Sequence, residues 1–497
     1  MHARISTLIF LLALILVFMF GPAPARATQI TVNTFEGIDA SEIPGAGLGV
    51  DPNGAVGTKQ YMEWVNPVYQ AFDKSGNPVT PVTAGDTPWR QNNMPDCYGA
   101  GGNVQLNFDH LASRWVIGRR QGAGTYFYCI AVSNTDDVAA SGFKWYTYEL
   151  PMNSVLGQNA HGHTFYPDYP KIGTWQDGYY VALDMLDPDA SFAIVGVVAC
   201  AFDRTTMLTG GTMRPPQCFR DLSSPEQVIL SHSLEPADID GTTAPIPGLP
   251  EFFASLENPA TGQNSANVVN KWTFKVNWTN PSQSSFTGPV TYKVLPYTQG
   301  CFTPTNPINT ICVPEPSSAQ TKNYIDSVGD RLMQRLSFRR FTGSSPYESW
   351  LIATTVQVGS GIETQTGIRF WEFRDNGQGK TGTISFPDGN YRFMPSAAQD
   401  KAANMAVGYS ISGVNLHPSI AVSYLNLRTA GGPTEQLLWS GLADEENSYH
   451  WGVYTSMTID PTDDCTFWYV NEYYDTTQVS SPTWQTRISN FKLPSCQ

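Results

Sequence analysis

Apolar and polar residues alternate along this chain in short runs broken by turn-forming residues. "RWVIGRR" at 114–120, "YFYCIAVS" at 126–133 and "YYVALDML" at 179–186 are typical. "WLIATTVQV" at 350–358, "IRFWEFR" at 368–374 and "TFWYVNEYY" at 466–474 continue the series. Each run is rich in β-branched and aromatic residues, and Gly, Pro, Asn and Asp cluster between runs, which is the signature of strands and tight turns. A helical apolar period is scarce; "PEQVILSHSL" at 225–234 predicts a helical turn or two. A longer unit recurs at 103–120, 405–426 and 456–474: an aliphatic strand, an Asp-, Gly- or Pro-marked turn, and a second strand. Radial repetition of antiparallel strands, four to a blade, protects sheet edges, whereas a tandem of β-sandwiches also yields many short strands. The pattern predicts an all-β fold: one β-propeller over residues 28–497, with about seven blades (range roughly six to eight). Two Pro-, Asp- and Ser-rich stretches, near 219–265 and 296–318, read as long loop insertions.

The first 27 residues change the compartment. Arg4 precedes an apolar run from Leu8 to Phe20, then Pro22, Pro24 and the small-x-small triplet Ala25-Arg26-Ala27. That three-part pattern predicts a signal peptide cut after Ala27, with no later segment of transmembrane length. The expected destination is extracellular or periplasmic. All eight cysteines fall after the cut, an even number that suits up to four disulfides in an oxidising compartment. Spacing suggests Cys97 with Cys129, Cys200 with Cys218, Cys301 with Cys312 and Cys465 with Cys496, among many allowed connectivities. The whole chain carries a net charge of −14, and its leader holds two arginines and no carboxylate. Such an acidic surface repels phosphates, which argues against a nucleic-acid partner.

Several segments together carry a family likeness: "DPNGAVGTKQYMEWVN" at 51–66, "YPDYPKIGTWQDGYYVAL" at 166–183 and "YIDSVGDRLMQRLSFRRF" at 324–341. "GIRFWEFR" at 367–374, "WGVYTSMTIDPTDDCTFWYVNEYY" at 451–474 and "TRISNFKLPSC" at 486–496 complete it. Over nearly the whole mature chain the sequence resembles a family of secreted bacterial propeller-type proteins of uncharacterised function, whose fold is similar to sialidase-like propellers. The SxDxGxTW pattern of sialidases is absent, so the resemblance implies the fold and neither an activity nor catalytic residues.

Candidate chemistry is scattered. His161 and His163 form a His-x-His pair that, on a strand, turns both rings to one side and suits a metal. Asp184, Asp187 and Asp189, and separately Asp460, Asp463 and Asp464, offer hard oxygens of the kind calcium takes, although Asx-turns explain such clusters as well. The metal set read from these is His161, His163, Asp184 and Asp187, with calcium as the candidate cofactor. Arg331, Arg335 and Arg339 fall on one side of a strand, either to grip a carboxylate or to bind Asp326 and Asp330 in a salt-bridge network. Glycoside hydrolysis needs two carboxyl groups across a bond; Asp168, Asp184, Asp330, Glu348, Glu372, Asp388 and Glu472 are candidates. Elimination would instead use Tyr169 or His163 as base with Arg331 neutralising a uronate. The catalytic set expected to converge at the central funnel is His163, Asp168, Arg331 and Glu348. Two functions remain: a secreted or cell-surface binding protein for carbohydrate or an extracellular protein, and a polysaccharide-degrading hydrolase or lyase.

Overall fold

The computed structural model describes residues 29–43, 50–99, 101–222, 232–256, 266–302, 310–359, 364–445, 449–475 and 484–496. The signal peptide and most of the predicted helical stretch at 225–234 lie outside these residues. Among the described residues no helix is long and apolar enough to cross a membrane.

The strands form seven blades of four antiparallel strands each. The innermost strands, in chain order, are Asn53–Val56, Gln105–Asp109, Tyr166–Thr174, Glu235–Ile239, Leu336–Phe341, Tyr391–Gln399 and Ser456–Ile459. Neighbouring innermost strands touch all the way round, and Asn53–Val56 meets Ser456–Ile459 to close the ring. Strand pairing between the two ends of the chain adds to the closure: Val32–Asp39 is the outer strand of the seventh blade, antiparallel to Trp484–Lys492. Ile38 of that strand is fully buried, and its N–H donates to Glu63 of the first blade at 2.9 Å. Pairing the two ends of the chain in one blade covers the Trp484–Lys492 edge, which would otherwise invite intermolecular pairing. The fourth and fifth blades are joined further by parallel pairing of their inner strands, Ala237–Ile239 against Leu336–Phe338.

The core is divided among the gaps between blades, each filled by its own apolar cluster. Trp115, Trp145 and Trp64 pack the first gap, Tyr128, Val181 and Phe202 the second, and Trp175, Phe253, Trp272 and Ile352 the third and fourth. Burying a Phe or Ile in such a gap contributes ~1.5–3 kcal/mol. Strand alternation explains this, because one face of every strand meets the preceding blade and the other the following one. Two glycines are required by geometry. Gly122 turns the second blade's hairpin at φ +104, and a Cβ on Gly173 would lie 2.3 Å from the Ala237 carbonyl where two inner strands press together.

The hub is packed. Arg335 pairs with Asp238 and Asp240, both at 2.8 Å, and donates to the Met457 carbonyl at 3.3 Å, tying three inner strands. The enclosed cavity left there is about 10 Å³, so the funnel above it is blind.

All four disulfides join the pairs suggested by spacing: Cys97–Cys129, Cys200–Cys218, Cys301–Cys312 and Cys465–Cys496. The insertion expected at 219–265 needs correction. This stretch supplies the end of Gln217–Leu222 and the blade strands Glu235–Ile239 and Glu251–Leu256; residues 223–231 and 257–265 are outside the described set. The strands were hidden because they are short and separated by the Pro- and Gly-rich connection "GTTAPIPGLP". In 296–318, Ile311–Val313 pairs with Ile325–Asp326 as a small ribbon apart from the blades.

Candidate functional site

The funnel at the entry ends of the inner strands holds an open cavity of about 390 Å³. That lies at the lower end of the ~300–1,000 Å³ typical of small-ligand sites. Its walls come from chain that runs into five different blades. Asp51 precedes Asn53–Val56, Asn103 precedes Gln105–Asp109, and Tyr454 precedes Ser456–Ile459. Asp330 and Arg331 lead into Leu336–Phe341, and Asp168 and Tyr169 sit at a register shift near the start of Tyr166–Thr174. Four wall residues have left-handed backbones: Asp51 (φ +42), Asn103 (+57), Tyr169 (+49) and Val328 (+43). For a β-branched valine this conformation is strained, and such strain gathers where a scaffold holds groups for a task.

Below the cavity, Tyr169 and Tyr454 lie with ring centroids 5.5 Å apart, and the Lys171 ammonium sits 4.3 and 4.4 Å from them. Lys171 also pairs with the buried Glu235 at 3.3 Å. Burial raises Glu235 to about 7 against the pull of Lys171. Burial likewise raises the Tyr169 phenol well above its ordinary 10, which leaves it a hydrogen-bond donor and not a base at neutral pH.

The wall carboxyl groups divide sharply. Burial pushes Asp51 up to about 7, with Asp168 adding to the rise and a 2.7 Å hydrogen bond from Asn66 opposing it. Burial opposes ionisation of Asp330 too, but the Arg331 guanidinium overrides it and holds Asp330 down at about 2. Arg331 grips Asp330 through two bonds of 2.9 and 2.8 Å, and stacks 4.7 Å over the Tyr169 ring. Asp168 accepts from Asn103 at 2.6 Å and lies 3.7 Å from Arg120, which rests on the Tyr166 ring. Four carboxyl groups on these walls, Asp51, Asp168, Asp326 and Asp330, thus stand against the two arginines Arg120 and Arg331; burial raises Asp326, and Asp51 is poised between its two states near neutrality.

Of the catalytic set expected from sequence, Asp168 and Arg331 meet in the funnel; His163 and Glu348 do not. His161 and His163 occupy a turn and not a strand, and both rings bond Asp189, at 2.9 and 2.8 Å. Asn159 in the same turn donates to Asp187 and Asp189. Asp184 is apart from them, buried behind the funnel and accepting from the Ser233 backbone and hydroxyl. His161, His163, Asp184 and Asp187 therefore do not gather, and among the described residues no three His, Cys, Asp or Glu side chains are placed to hold a metal. Asp460 pairs with Lys74, Asp464 with Arg339, and Asp463 caps the backbone of Cys465 and Thr466.

The three clustered arginines go to separate partners: Arg331 to Asp330, Arg335 to Asp238 and Asp240, and Arg339 to Asp464. Glu348 faces a second cavity and accepts from the Ile246 N–H at 2.8 Å. Glu372 is locked to Arg374, Asp388 to Arg392, and Glu472 is buried against the Gly452 N–H. Asp51, Asn103, Arg120 and Tyr454 were not foreseen. Asp51, Asn103 and Tyr454 share a position, two residues ahead of an inner strand, whereas Arg120 lies near the end of the strand Arg114–Gln121.

Fold and site together define a seven-bladed β-propeller with a blind, polar, carboxyl-rich funnel. No family model matches the chain, and no curated protein matches it. Among solved structures it is similar to a protein of unknown function from Dyadobacter fermentans, at 11% identity over 68% of this chain and 97% of that one, with a TM-score of 0.29. It is similar to the α-L-arabinanase of Penicillium chrysogenum complexed with arabinobiose (9% identity, 81% and 100% covered, TM-score 0.39). A third is the subtype N10 neuraminidase-like protein of A/little yellow-shouldered bat/Guatemala/060/2010 (7% identity, 76% and 95% covered, TM-score 0.35). At such distances the chemistry of the funnel has to be read from its own residues.

Proposed function

We propose that this propeller is an exported glycoside hydrolase acting on a neutral polysaccharide, with the funnel as its active site. One observation carries the reading. Two carboxyl groups on the wall of a single cavity are held at opposite ends of the titration range, Asp51 at about 7 and Asp330 at about 2. Such a split supplies a proton donor and an ionised carboxylate at the same pH, which is what cleavage of a glycosidic bond requires. In this reading Asp51 protonates the leaving oxygen, Asp330 stabilises the positive charge developing at the anomeric carbon, and water adds there as its second proton passes to the Asp51 carboxylate, which restores the acid. Asp168, oriented by Asn103 and Arg120, hydrogen-bonds sugar hydroxyls, and Arg331 fixes Asp330. With four carboxyl groups against two arginines, the walls favour a neutral sugar over a uronate. The leader, the four disulfides and the acidic composition support action outside the cytoplasm.

A binding protein is the second reading. It is favoured by the fact that Asp330 and Asp168 are already engaged inside the protein, by Arg331 and by Asn103. Both are tested by incubating the mature protein with neutral and uronate-containing polysaccharides, and scoring reducing ends and retention on each polymer. New reducing ends from a neutral polymer, absent in Asp51→Asn while retention persists, support hydrolysis. Retention without any product sinks the hydrolase and leaves the binding protein.

A further inference from the structure

A second cavity of about 310 Å³ lies between the fourth and fifth blades. Its residues come from the connection into Glu251–Leu256, from Phe338, and from the start of Tyr347–Val358. Because each inner strand runs away from the funnel, this cavity lies toward the opposite face of the disc. Nothing in the proposed hydrolytic site uses it.

Its walls are flat and apolar. Trp350 stacks on Phe373 with centroids 4.0 Å apart, and Phe252 and Tyr292 meet Trp350 edge-on at 5.7 and 5.5 Å. Its polar groups are unevenly satisfied. Glu348 accepts from the Ile246 N–H, Asp375 accepts from the Glu348 N–H at 3.1 Å, and Arg374 is engaged by Glu372 through two bonds. Lys271 is different. Its ammonium lies 4.1 Å from the Phe252 ring and 5.6 Å from the Trp350 ring, with no carboxylate or other acceptor bonded to it among the described residues. The hydroxyls of Tyr292 and Thr273 also lack a partner there. All three can donate. Burial lowers the Lys271 ammonium from its ordinary value, as expected of a cation short of acceptors.

We propose that this cavity binds a small aromatic carboxylate, its carboxylate accepting from Lys271 and Tyr292 and its ring lying against Phe252 and Trp350. A carboxylate supplies the acceptor that Lys271 lacks, and a charge-assisted bond is stronger than one between neutral groups. A flat ring matches the remaining walls through edge and face contacts.

The test uses the full mature chain and isothermal titration with benzoate and with benzyl alcohol, its neutral counterpart. Benzoate is expected to bind once per chain and benzyl alcohol at least about tenfold more weakly. Lys271→Met is expected to weaken benzoate at least about tenfold, and Lys271→Arg to recover most of the loss. Equal binding of the two probes by the wild type would overturn the proposal even if the variants failed to fold. So would no detectable benzoate binding up to about 10 mM. Unchanged benzoate affinity in Lys271→Met would also overturn it, placing the anion at the funnel arginines instead. Polysaccharide cleavage is scored separately and is expected to be unaffected by Lys271→Met, so the two sites fail or succeed independently.

Discussion

Replacing Asp51 by Asn is expected to abolish polysaccharide cleavage and, at the same time, to stabilise the protein at alkaline pH. The magnitude follows from its proton affinity. An aspartate of ordinary pKa 3.8 is raised to about 7 in the folded chain by burial in the funnel wall. Each tenfold change in proton affinity is ~1.4 kcal/mol, so three decades amount to ~4 kcal/mol. The sign is fixed by linkage. Below about pH 4 the carboxyl is protonated in both folded and unfolded chains and nothing is lost. Between about 4 and about 7 the unfolded chain ionises and the folded one does not, so stability falls as pH rises. Above about 7 the full cost is in place. Asp51 retains some contact with solvent in the funnel, so ~4 kcal/mol is a ceiling and ~1–3 kcal/mol the expected gain for Asn at pH 8. Asn keeps an oxygen for the bond from Asn66 and carries no charge to desolvate. The assay is chemical denaturation of both proteins at pH 4, 6 and 8, followed by tryptophan fluorescence, with reducing-end release measured alongside. A stability difference that is zero at pH 8, or the same at pH 4 and pH 8, refutes the claim that Asp51 is held protonated against its burial.

The other predictions concern the same site and the ring that holds it. Cleavage activity is expected to fall as pH rises through about 7, where Asp51 deprotonates, and to stay flat down to about pH 3, because Asp330 remains ionised to about 2; a pH–rate profile checks both limbs. Asp330→Asn leaves Arg331 without its carboxylate and is expected to cost ~2–4 kcal/mol in chemical denaturation, somewhat less than a fully buried pair because both groups touch the funnel. Deleting residues 28–39 removes the closing strand, buried Ile38 and the donor to Glu63; a loss of at least ~3 kcal/mol is expected, with larger species in size-exclusion chromatography from the exposed Trp484–Lys492 edge. Replacing Cys465 and Cys496 together by Ala is expected to cost ~2–4 kcal/mol, with little change in cleavage at low temperature.

The blade repeat could be read in the sequence because each inner and second strand alternates between two neighbouring blades, and that alternation survives in "RWVIGRR", "YYVALDML" and "TFWYVNEYY". The disulfides follow proximity along the chain: all four pairs close loops of 11–32 residues, as suggested from spacing among many allowed connectivities. Reading failed at Glu235–Ile239 and Glu251–Leu256, two short strands whose Pro-rich connection looks like an insertion. It failed more instructively at the site. Asp168 and Arg331 were found because they stand in segments dense with charge. Asp51 and Tyr454 stand in unremarkable lead-ins, 403 residues apart, and become neighbours only when the ring closes. The His161–His163 pair misled because Gly162 (φ +84) bends the chain into a turn, where both rings serve Asp189.

Why the funnel and not some other face should carry the chemistry follows from how the ring is built. The hub beneath it is fixed by Arg335, which spans the fourth, fifth and seventh blades, and the inner strands cannot shift without breaking that set of bonds. The lead-in residues are therefore presented by anchored strands, yet belong to backbone free of the sheet ladder. The left-handed conformations at Asp51, Asn103, Tyr169 and Val328 fall in these lead-ins and at the register shift of Tyr166–Thr174, outside the regular strand pairing. Strain of ~1–3 kcal/mol at each such residue, added to the burial of Asp51, opposes folding and is borne by the apolar clusters in the gaps between blades. A purely structural ring has no use for that expense at its mouth. Under the proposed hydrolase reading the mouth must hold a protonated carboxyl and an ionised one together, so Asp51→Asn should yield a protein that is more stable at alkaline pH and inactive.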